Sequence, residues 1–368
     1  MSFIELAIPG VQGLTPYQAG KPIAELEREL GITNIIKLAS NENPLGPSSR
    51  VLEIIQQEAK ELGRYPDGNG FALKKALADK FNVGAGQITL GNGSNDILEL
   101  LARAFVSPEN EVVFSDHAFA VYPIVTQAVG AVARITPAKN WGYDLDAISN
   151  VINDKTRLLF IANPNNPTGT WLQSGELESF IASVPKHVLV VVDEAYYEFA
   201  AAACLGISGY STVLPLIDRY SNLVVTRTFS KAYGLAGLRM GYSVSHHEVA
   251  DVLNRVRQPF NANSLSLAAG EVALSDEEHL KHSCQLVCEG MHYLTQNFNE
   301  MGLDFIPSAG NFISVNVKQN GRELFNKLLH EGVIVRPVDN YGMPDFLRIT
   351  IGTQDENHKF IQALKKVI

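Results

Sequence analysis

Short, continuous apolar runs recur through the middle of the chain at Glu111–Phe114, Ala131–Ile135, Leu158–Ala162, Val188–Val192, Leu223–Thr226 and Met240–Val244. Between most of them the apolar positions return with helical spacing, as in Phe71–Phe81 and Asn95–Phe105. A strand that is apolar along its whole length has both faces covered, and helices alternating with such strands bring them in parallel. The pattern therefore predicts an α/β domain on a mostly parallel central sheet with helices on both faces.

The two ends of the chain read differently. The first forty residues are rich in turn formers, with Pro9, Gly10, Gly13, Pro16, Gly20 and Pro22, and predict an arm carrying one short helix at Ile23–Leu30. Beyond Ala262 a long helical stretch runs to about Met301. Shorter strands follow at Phe312–Val317, Val333–Val335 and Phe346–Ile351, with helices at Glu323–His330 and Glu356–Val367. These predict a smaller α+β domain. The expected organisation is an arm over 1–45, a large domain over 46–262, and a small domain over 263–368 that part of the arm joins.

Composition narrows the class. A chain of 368 residues suits two unequal domains. The net charge of −9, without long acidic blocks, argues against a nucleic-acid binder, which needs a basic face. The sequence shows neither a signal peptide nor an apolar stretch of about 18 residues, so a cytoplasmic location is expected. The three cysteines, Cys204, Cys284 and Cys288, are an odd, low count that fits a reducing compartment. Cys284 and Cys288 lie near His279, His282 and His292. Helical spacing alone produces such a cluster, and no metal is assigned.

Four segments carry candidate chemistry. In Thr228-Phe229-Ser230-Lys231, just after an apolar run, a lysine among small residues can be desolvated, which lowers its pKa and makes the amine a nucleophile. Thr228, Ser230 and Arg239 supply two hydroxyls and a guanidinium to the same loop, a set suited to phosphate. A lysine on a solvated loop is the plain alternative. In Val190-Val191-Val192-Asp193-Glu194-Ala195-Tyr196 an apolar strand ends in a carboxylate, at the sheet edge where open α/β sheets place ligands. A buried carboxylate needs a positive partner, which a pyridinium nitrogen would provide; an ordinary helix cap reads equally. The prolines and glycine of Ala162-Asn163-Pro164-Asn165-Asn166-Pro167-Thr168-Gly169 predict a rigid loop that holds Asn166 toward a ligand, or a plain turn. Gly91-Asn92-Gly93-Ser94-Asn95-Asp96 opens a helix whose free N–H groups favour a phosphate, though Asp96 breaks the dinucleotide fingerprint and a simple cap explains it as well. Phe119 would stack on a flat ring or pack in the core.

The order of these segments, ending in TFSKAYGLAGLRMGY, resembles the fold-type I aminotransferases, in the subgroup of histidinol-phosphate aminotransferases. Lys37–Gly46 resembles the subgroup's entrance segment, and Arg64-Tyr65-Pro66-Asp67 its "YP" motif. Ile334–Pro337 and Leu347–Gly352 resemble its C-terminal arginine segments. The resemblance runs from about Pro16 to Gly352. It departs at His117-Ala118-Phe119, where the subgroup often has Pro-Thr-Tyr, and in part at Gln258–Asn261.

The resemblance implies a pyridoxal-5'-phosphate-dependent transferase of fold type I. Lys231 would be the Schiff-base lysine and proton shuttle, Asp193 the partner of the pyridine nitrogen, Asn166 and Tyr196 contacts of the ring oxygen, and Phe119 the stacking aromatic. Ser94, Asn95, Thr228, Ser230 and Arg239 would hold the cofactor phosphate. Tyr65 would reach the phosphate in the partner subunit of a homodimer. Arg348 would be the substrate-anion arginine with Arg336 as a second contact, and Tyr17 and Asn43 would line the entrance. The implied reaction is transamination of L-histidinol phosphate with 2-oxoglutarate in histidine biosynthesis. The arginines suit a carboxylate as well as a phosphate, so an aromatic-amino-acid transaminase and a decarboxylase of a phosphorylated amino acid stand as alternatives. A non-enzymatic, cofactor-binding regulatory domain would need a DNA-binding extension, for which the chain shows no basic patch.

Overall fold

A computed structural model describes residues 2–18 and 20–368; Met1 and Ala19 of the arm lie outside the described residues. The large domain is organised by a seven-stranded sheet. Its strands run, in spatial order, Ile88–Asn92, Met240–Ser245, Leu223–Thr228, Leu189–Asp193, Thr156–Ala162, Glu111–Ser115 and Val132–Thr136. Met240–Ser245 is antiparallel to both neighbours, and the other strands run parallel to one another.

The apolar runs of the inner strands follow from burial on two sides; the edge strand Val132–Thr136 departs from that expectation, with Val132 and Ile135 exposed because no further strand or helix layer covers them. Leu159, Ile161, Val190 and Val192 face one core with helices Phe71–Phe81, Ser174–Ser183 and Ser264–Ser275. The intervening Leu158, Phe160 and Val191 face another with helices Ser94–Phe105, Val121–Ala128 and His247–Val256. Alternate side chains of a strand point to opposite faces, so only a fully apolar run can satisfy both layers. Ile88–Asn92 is a strand the sequence pattern does not single out. Glycines flank its apolar core on both sides, at Gly86 and Gly91, and shorten the visible run.

The antiparallel strand matters for the site. Because Met240–Ser245 runs backwards, its beginning lies at the edge where the parallel strands end, with Met240 opposite Asn92 and Gly241 opposite Thr228. Arg239 thus comes to the same edge as Asp193 and Lys231.

The C-terminal part holds a four-stranded antiparallel sheet in the order Phe305–Ile306, Phe312–Asn316, Phe346–Thr350, Arg336–Pro337, covered by the long helix Glu277–Glu300 and by Gly321–His330 and Gln354–Val367. The arm joins it: Ile36–Lys37 pairs in parallel with Val333–Ile334. Helix Ser264–Ser275 falls inside the expected small domain, yet its Ala269, Ala273 and Leu274 pack in the large domain's core. Small residues there let it approach helices Ser49–Glu58 and Phe71–Phe81 closely.

Cys204 and Cys288 are joined as a disulfide across a Cα–Cα distance of 5.9 Å, which departs from the reduced state expected from the cysteine count. Cys284 is free and buried. Residues 84 apart in sequence meet here because the segment after helix Tyr197–Ala200 packs on the long helix, a contact that counting cysteines does not reveal. Among the described residues no group of three or more His, Cys, Asp or Glu is placed to hold a metal.

Candidate active site

The carboxyl ends of the parallel strands and the small domain together enclose a cavity of about 570 Å³. Lys231 and Asp193 both line it, with Ser94, Asn95, Phe119, Asn166, Tyr196, Thr228, Ser230, Arg239, Tyr17, Arg336 and Arg348. The large domain supplies most of the wall. Arg348 comes from an inner strand of the small sheet, and Tyr17 from the arm.

Asp193 is the last residue of its strand and is buried. Its Oδ1 accepts from the Thr226 hydroxyl at 3.0 Å and its Oδ2 from the Tyr122 hydroxyl at 3.1 Å. Burial raises its carboxyl to about 6, against the lowering pull of those two hydrogen bonds. Both donors are neutral. Asp193 therefore faces the cavity as a buried acid whose charge no ion pair among the described residues compensates. The adjacent Glu194 turns the other way and forms a buried pair with Arg227 at 2.7 Å beneath the sheet edge. The guanidinium lies over the Tyr197 ring, 3.7 Å from its centroid.

Lys231 sits just beyond the Leu223–Thr228 strand, after Phe229 and Ser230. Its Nζ donates to the Ser40 carbonyl at 3.0 Å. Burial lowers its pKa to about 8, with Arg348 and Arg239 adding to the effect and Glu42 and Asp193 opposing it. A substantial fraction of this amine is neutral near pH ~7.5, unlike that of a solvated lysine.

At the cavity floor, helix Ser94–Phe105 starts from Gly93 with no side-chain cap, so N–H groups of its first turn remain free for an anion. Gly93 has φ of +82°, and a Cβ there would lie 2.4 Å from an Arg239 guanidinium nitrogen. The guanidinium thus lies directly against the helix start. It also donates to the Ser230 hydroxyl at 3.4 Å, while the Ser230 N–H donates to the Thr228 hydroxyl at 3.1 Å. The cradle is cationic and rich in donors, suited to a phosphate.

On the small-domain side, Arg348 donates to Asn166 Oδ1 at 2.5 Å and to the Ala39 carbonyl at 2.7 Å, and its Nε is buried without a partner. A buried guanidinium whose donors are not all satisfied by protein atoms suits an anionic ligand. The loop that presents Asn166 contains cis peptides at Asn163–Pro164 and Asn166–Pro167 and is anchored to the small domain by the Ser314 hydroxyl, which donates to the Pro167 carbonyl at 2.6 Å. Arg336 stands at the mouth, 5.8 Å from the Tyr17 ring centroid. Phe119 meets Tyr122 edge-on at 5.8 Å.

Two expected residues stand apart from the cavity. The Asn43 amide donates to the Ala232 carbonyl and the Ser283 hydroxyl, bracing the lysine loop from behind instead of lining the entrance. Tyr65 is 84 % exposed and stacked on Phe260 at 4.8 Å, on the outer surface. Conversely, Asn41, Tyr122 and Thr226 contribute without having been singled out in the sequence. They are neutral residues in ordinary surroundings, and only the fold brings each to Tyr196 or Asp193.

Residues 33–364 match the family described as aminotransferase class I and II. Over its whole length the chain is 56 % identical to histidinol-phosphate aminotransferase 1 of Nitrosococcus oceani and 59 % identical to histidinol-phosphate aminotransferase 2 of Pseudomonas fluorescens, covering 98 % of each. The structure resembles histidinol-phosphate aminotransferase from Sinorhizobium meliloti, solved in complex with pyridoxal-5'-phosphate, with a TM-score of 0.90 and 28 % identity over 98 % of this chain and 96 % of that one. Aspartate aminotransferase of Thermus thermophilus, at 21 % identity and a TM-score of 0.85, shares the fold.

Proposed function

Because this chain belongs to the class I and II aminotransferases, we propose that it transfers the amino group of L-histidinol phosphate to 2-oxoglutarate, yielding imidazole acetol phosphate and L-glutamate in histidine biosynthesis. The observation that carries this reading is the shared cavity. A partly buried amine of lowered pKa, a buried acid without a cationic partner and an arginine with an unpaired nitrogen all face one space. Pyridoxal 5'-phosphate fits that set: its phosphate answers the Arg239 cradle and its ring nitrogen answers Asp193.

When bound, the cofactor supplies an aldehyde that takes up the amino group and a protonated ring that absorbs the charge left by the departing α-proton. The protein's residues do the rest. Arg239, Ser230, Thr228, Ser94 and Asn95 hold the phosphate end. Asp193, as carboxylate, holds the ring nitrogen in its protonated form. A cation there lowers the Asp193 pKa, so each charge stabilises the other. Phe119 would cover one ring face, and Asn166 and Tyr196 would donate to the ring oxygen. The Lys231 Nζ would remove the substrate's α-proton as base and, once protonated, return it as acid. Arg348, with Arg336, takes the substrate's anionic group.

A homodimer belongs to the same proposal. Tyr65 and Phe260 form an exposed aromatic pair, and Phe71 and Leu62 are exposed nearby in the sequence, a face suited to a second copy in whose cavity Tyr65 would meet the phosphate. A cytoplasmic location is also proposed; among the described residues no helix is long and apolar enough to cross a membrane. So is the division into a large domain, a small domain and an arm that joins it, supported by the separate cores of the two sheets.

The test is a steady-state comparison of histidinol phosphate, phenylalanine and tyrosine as donors to 2-oxoglutarate. Charged hydrogen bonds to a phosphate predict at least a roughly tenfold higher kcat/KM for histidinol phosphate. A higher value for phenylalanine or tyrosine would establish the aromatic alternative, and release of carbon dioxide the decarboxylase.

A further inference from the structure

We propose that Asn41 is a positioning residue that holds the Tyr196 hydroxyl as a hydrogen-bond donor facing the cavity. The inference rests on the reading that Tyr196 contacts the ring oxygen of the bound cofactor. It starts from a chain of contacts in which each proton can be assigned. The Asn41 backbone N–H donates to the Thr350 hydroxyl at 2.9 Å. A backbone N–H can only donate, so the Thr350 oxygen accepts there and has its own proton to give. That proton goes to Asn41 Oδ1 at 3.1 Å. The amide is thereby oriented with its NH₂ toward Tyr196, and Nδ2 donates to the phenol oxygen at 2.9 Å. The Tyr196 oxygen accepts on its protein side, and its proton is left for the cavity.

The surroundings reinforce this direction. Asn41 is 1 % exposed, so water does not compete for its amide. Its backbone is left-handed, with φ of +54°, and its carbonyl accepts from the Asn311 amide at 3.1 Å. The neighbouring carbonyls, of Ala39 and Ser40, accept from Arg348 and Lys231. One short segment thus carries contacts to three groups around the cavity, and only at Asn41 is the contact made by a side chain. The charged or titratable groups near the phenol are Arg348, Asp193, Tyr341 and Lys231, whose Nζ stands 5.8 Å from the ring centroid. None of them donates a hydrogen bond to the phenol oxygen; Asn41 does.

The consequence is measurable without turnover. A proton donated by Tyr196 stabilises negative charge on the ring oxygen. Without it the bound cofactor keeps its own proton to higher pH. The experiment is a spectrophotometric pH titration of the substrate-free holoenzyme, reading the midpoint of the cofactor's absorbance change. Asn41→Gly removes the amide while tolerating the left-handed backbone. It is expected to raise the midpoint by about 0.7 pH unit, the equivalent of one ordinary hydrogen bond. Tyr196→Phe should raise it further, and the double variant should match Tyr196→Phe alone, because Asn41 acts only through the phenol. Asn41→Asp keeps the shape but turns the donor into an acceptor, drawing the phenol proton away from the cavity, and should also raise the midpoint.

Three results overturn the proposal. One is a wild-type midpoint in Asn41→Gly while Tyr196→Phe moves it. Another is additivity in the double variant, which would mark a merely structural role. The last is an unmoved midpoint in Tyr196→Phe, which removes Tyr196 from the ring oxygen and takes the reading beneath the proposal with it. If Asn41→Gly does not retain the cofactor, Thr350→Val replaces it. That variant removes the proton that orients the amide, and the same upward shift is expected; its absence counts against Asn41.

Discussion

Replacing Asp193 with asparagine should stabilise the cofactor-free protein while crippling the holoenzyme, and the size of the first effect follows from burial. Without a cationic partner the carboxyl is moved from its ordinary 3.8 to about 6, with desolvation as the largest cause and two neutral hydroxyls as partial compensation. A folded-state pKa raised above the unfolded value means that the native state binds more protons between those limits. Native stability therefore falls as pH rises from about 4 to 6, and the full cost is present above about 6. The difference corresponds to about 3 kcal/mol at neutral pH, an upper figure because the cavity wall can relax. Asparagine keeps the shape and accepts from Thr226 or Tyr122 through its oxygen, without the buried charge. Urea unfolding of the two apoproteins should show the Asp193→Asn variant ahead by about 1–3 kcal/mol near pH ~8 and level with wild type near pH ~4. Adding pyridoxal phosphate should reverse the order at the higher pH, since only the carboxylate gains a cationic partner. An apo variant no more stable than wild type at that pH would refute the claim that this acid is built for a positive charge.

Other outcomes are tied to single contacts. Lys231→Ala should bind the cofactor without the absorbance of the lysine-bound form and lose transamination by at least about 10⁴-fold, measured by spectrum and coupled assay; persistence of that absorbance would place the attachment elsewhere. Gly93→Ala puts a Cβ 2.4 Å from the Arg239 guanidinium at a backbone φ of +82°. It should weaken cofactor affinity by about tenfold or more, read by titration of the apoprotein, and inorganic phosphate should lose its protection against thermal unfolding in parallel.

The chemistry carried by consecutive residues is legible in the sequence. Thr228 ends one strand with Ser230 and Lys231 just beyond it, and Asp193 ends another. Such placements obey local rules: an inner strand covered on both faces must be an apolar run, and the residues just past it emerge at the sheet edge. Burial of Lys231 and Asp193 can be anticipated for the same reason. The partners of those groups cannot. Tyr122 lies 71 residues from Asp193, and Asn41 lies 309 from Thr350 and 155 from Tyr196. Nothing in the neighbourhood of a tyrosine or an asparagine says which distant atom it will meet.

The sequence by itself determined which residues carry reactive groups and that an α/β sheet presents them, because burial periodicity and backbone sterics act over a few residues. Tertiary structure alone decided the reversed strand that delivers Arg239, the packing of Ser264–Ser275 on the large core, the turning of Asn43 away from the cavity, and the amide that orients Tyr196. The reversed strand pairs with a near neighbour in the chain, but the other three depend on closing loops of more than about a hundred residues, and the energy that selects one closure is shared among many contacts.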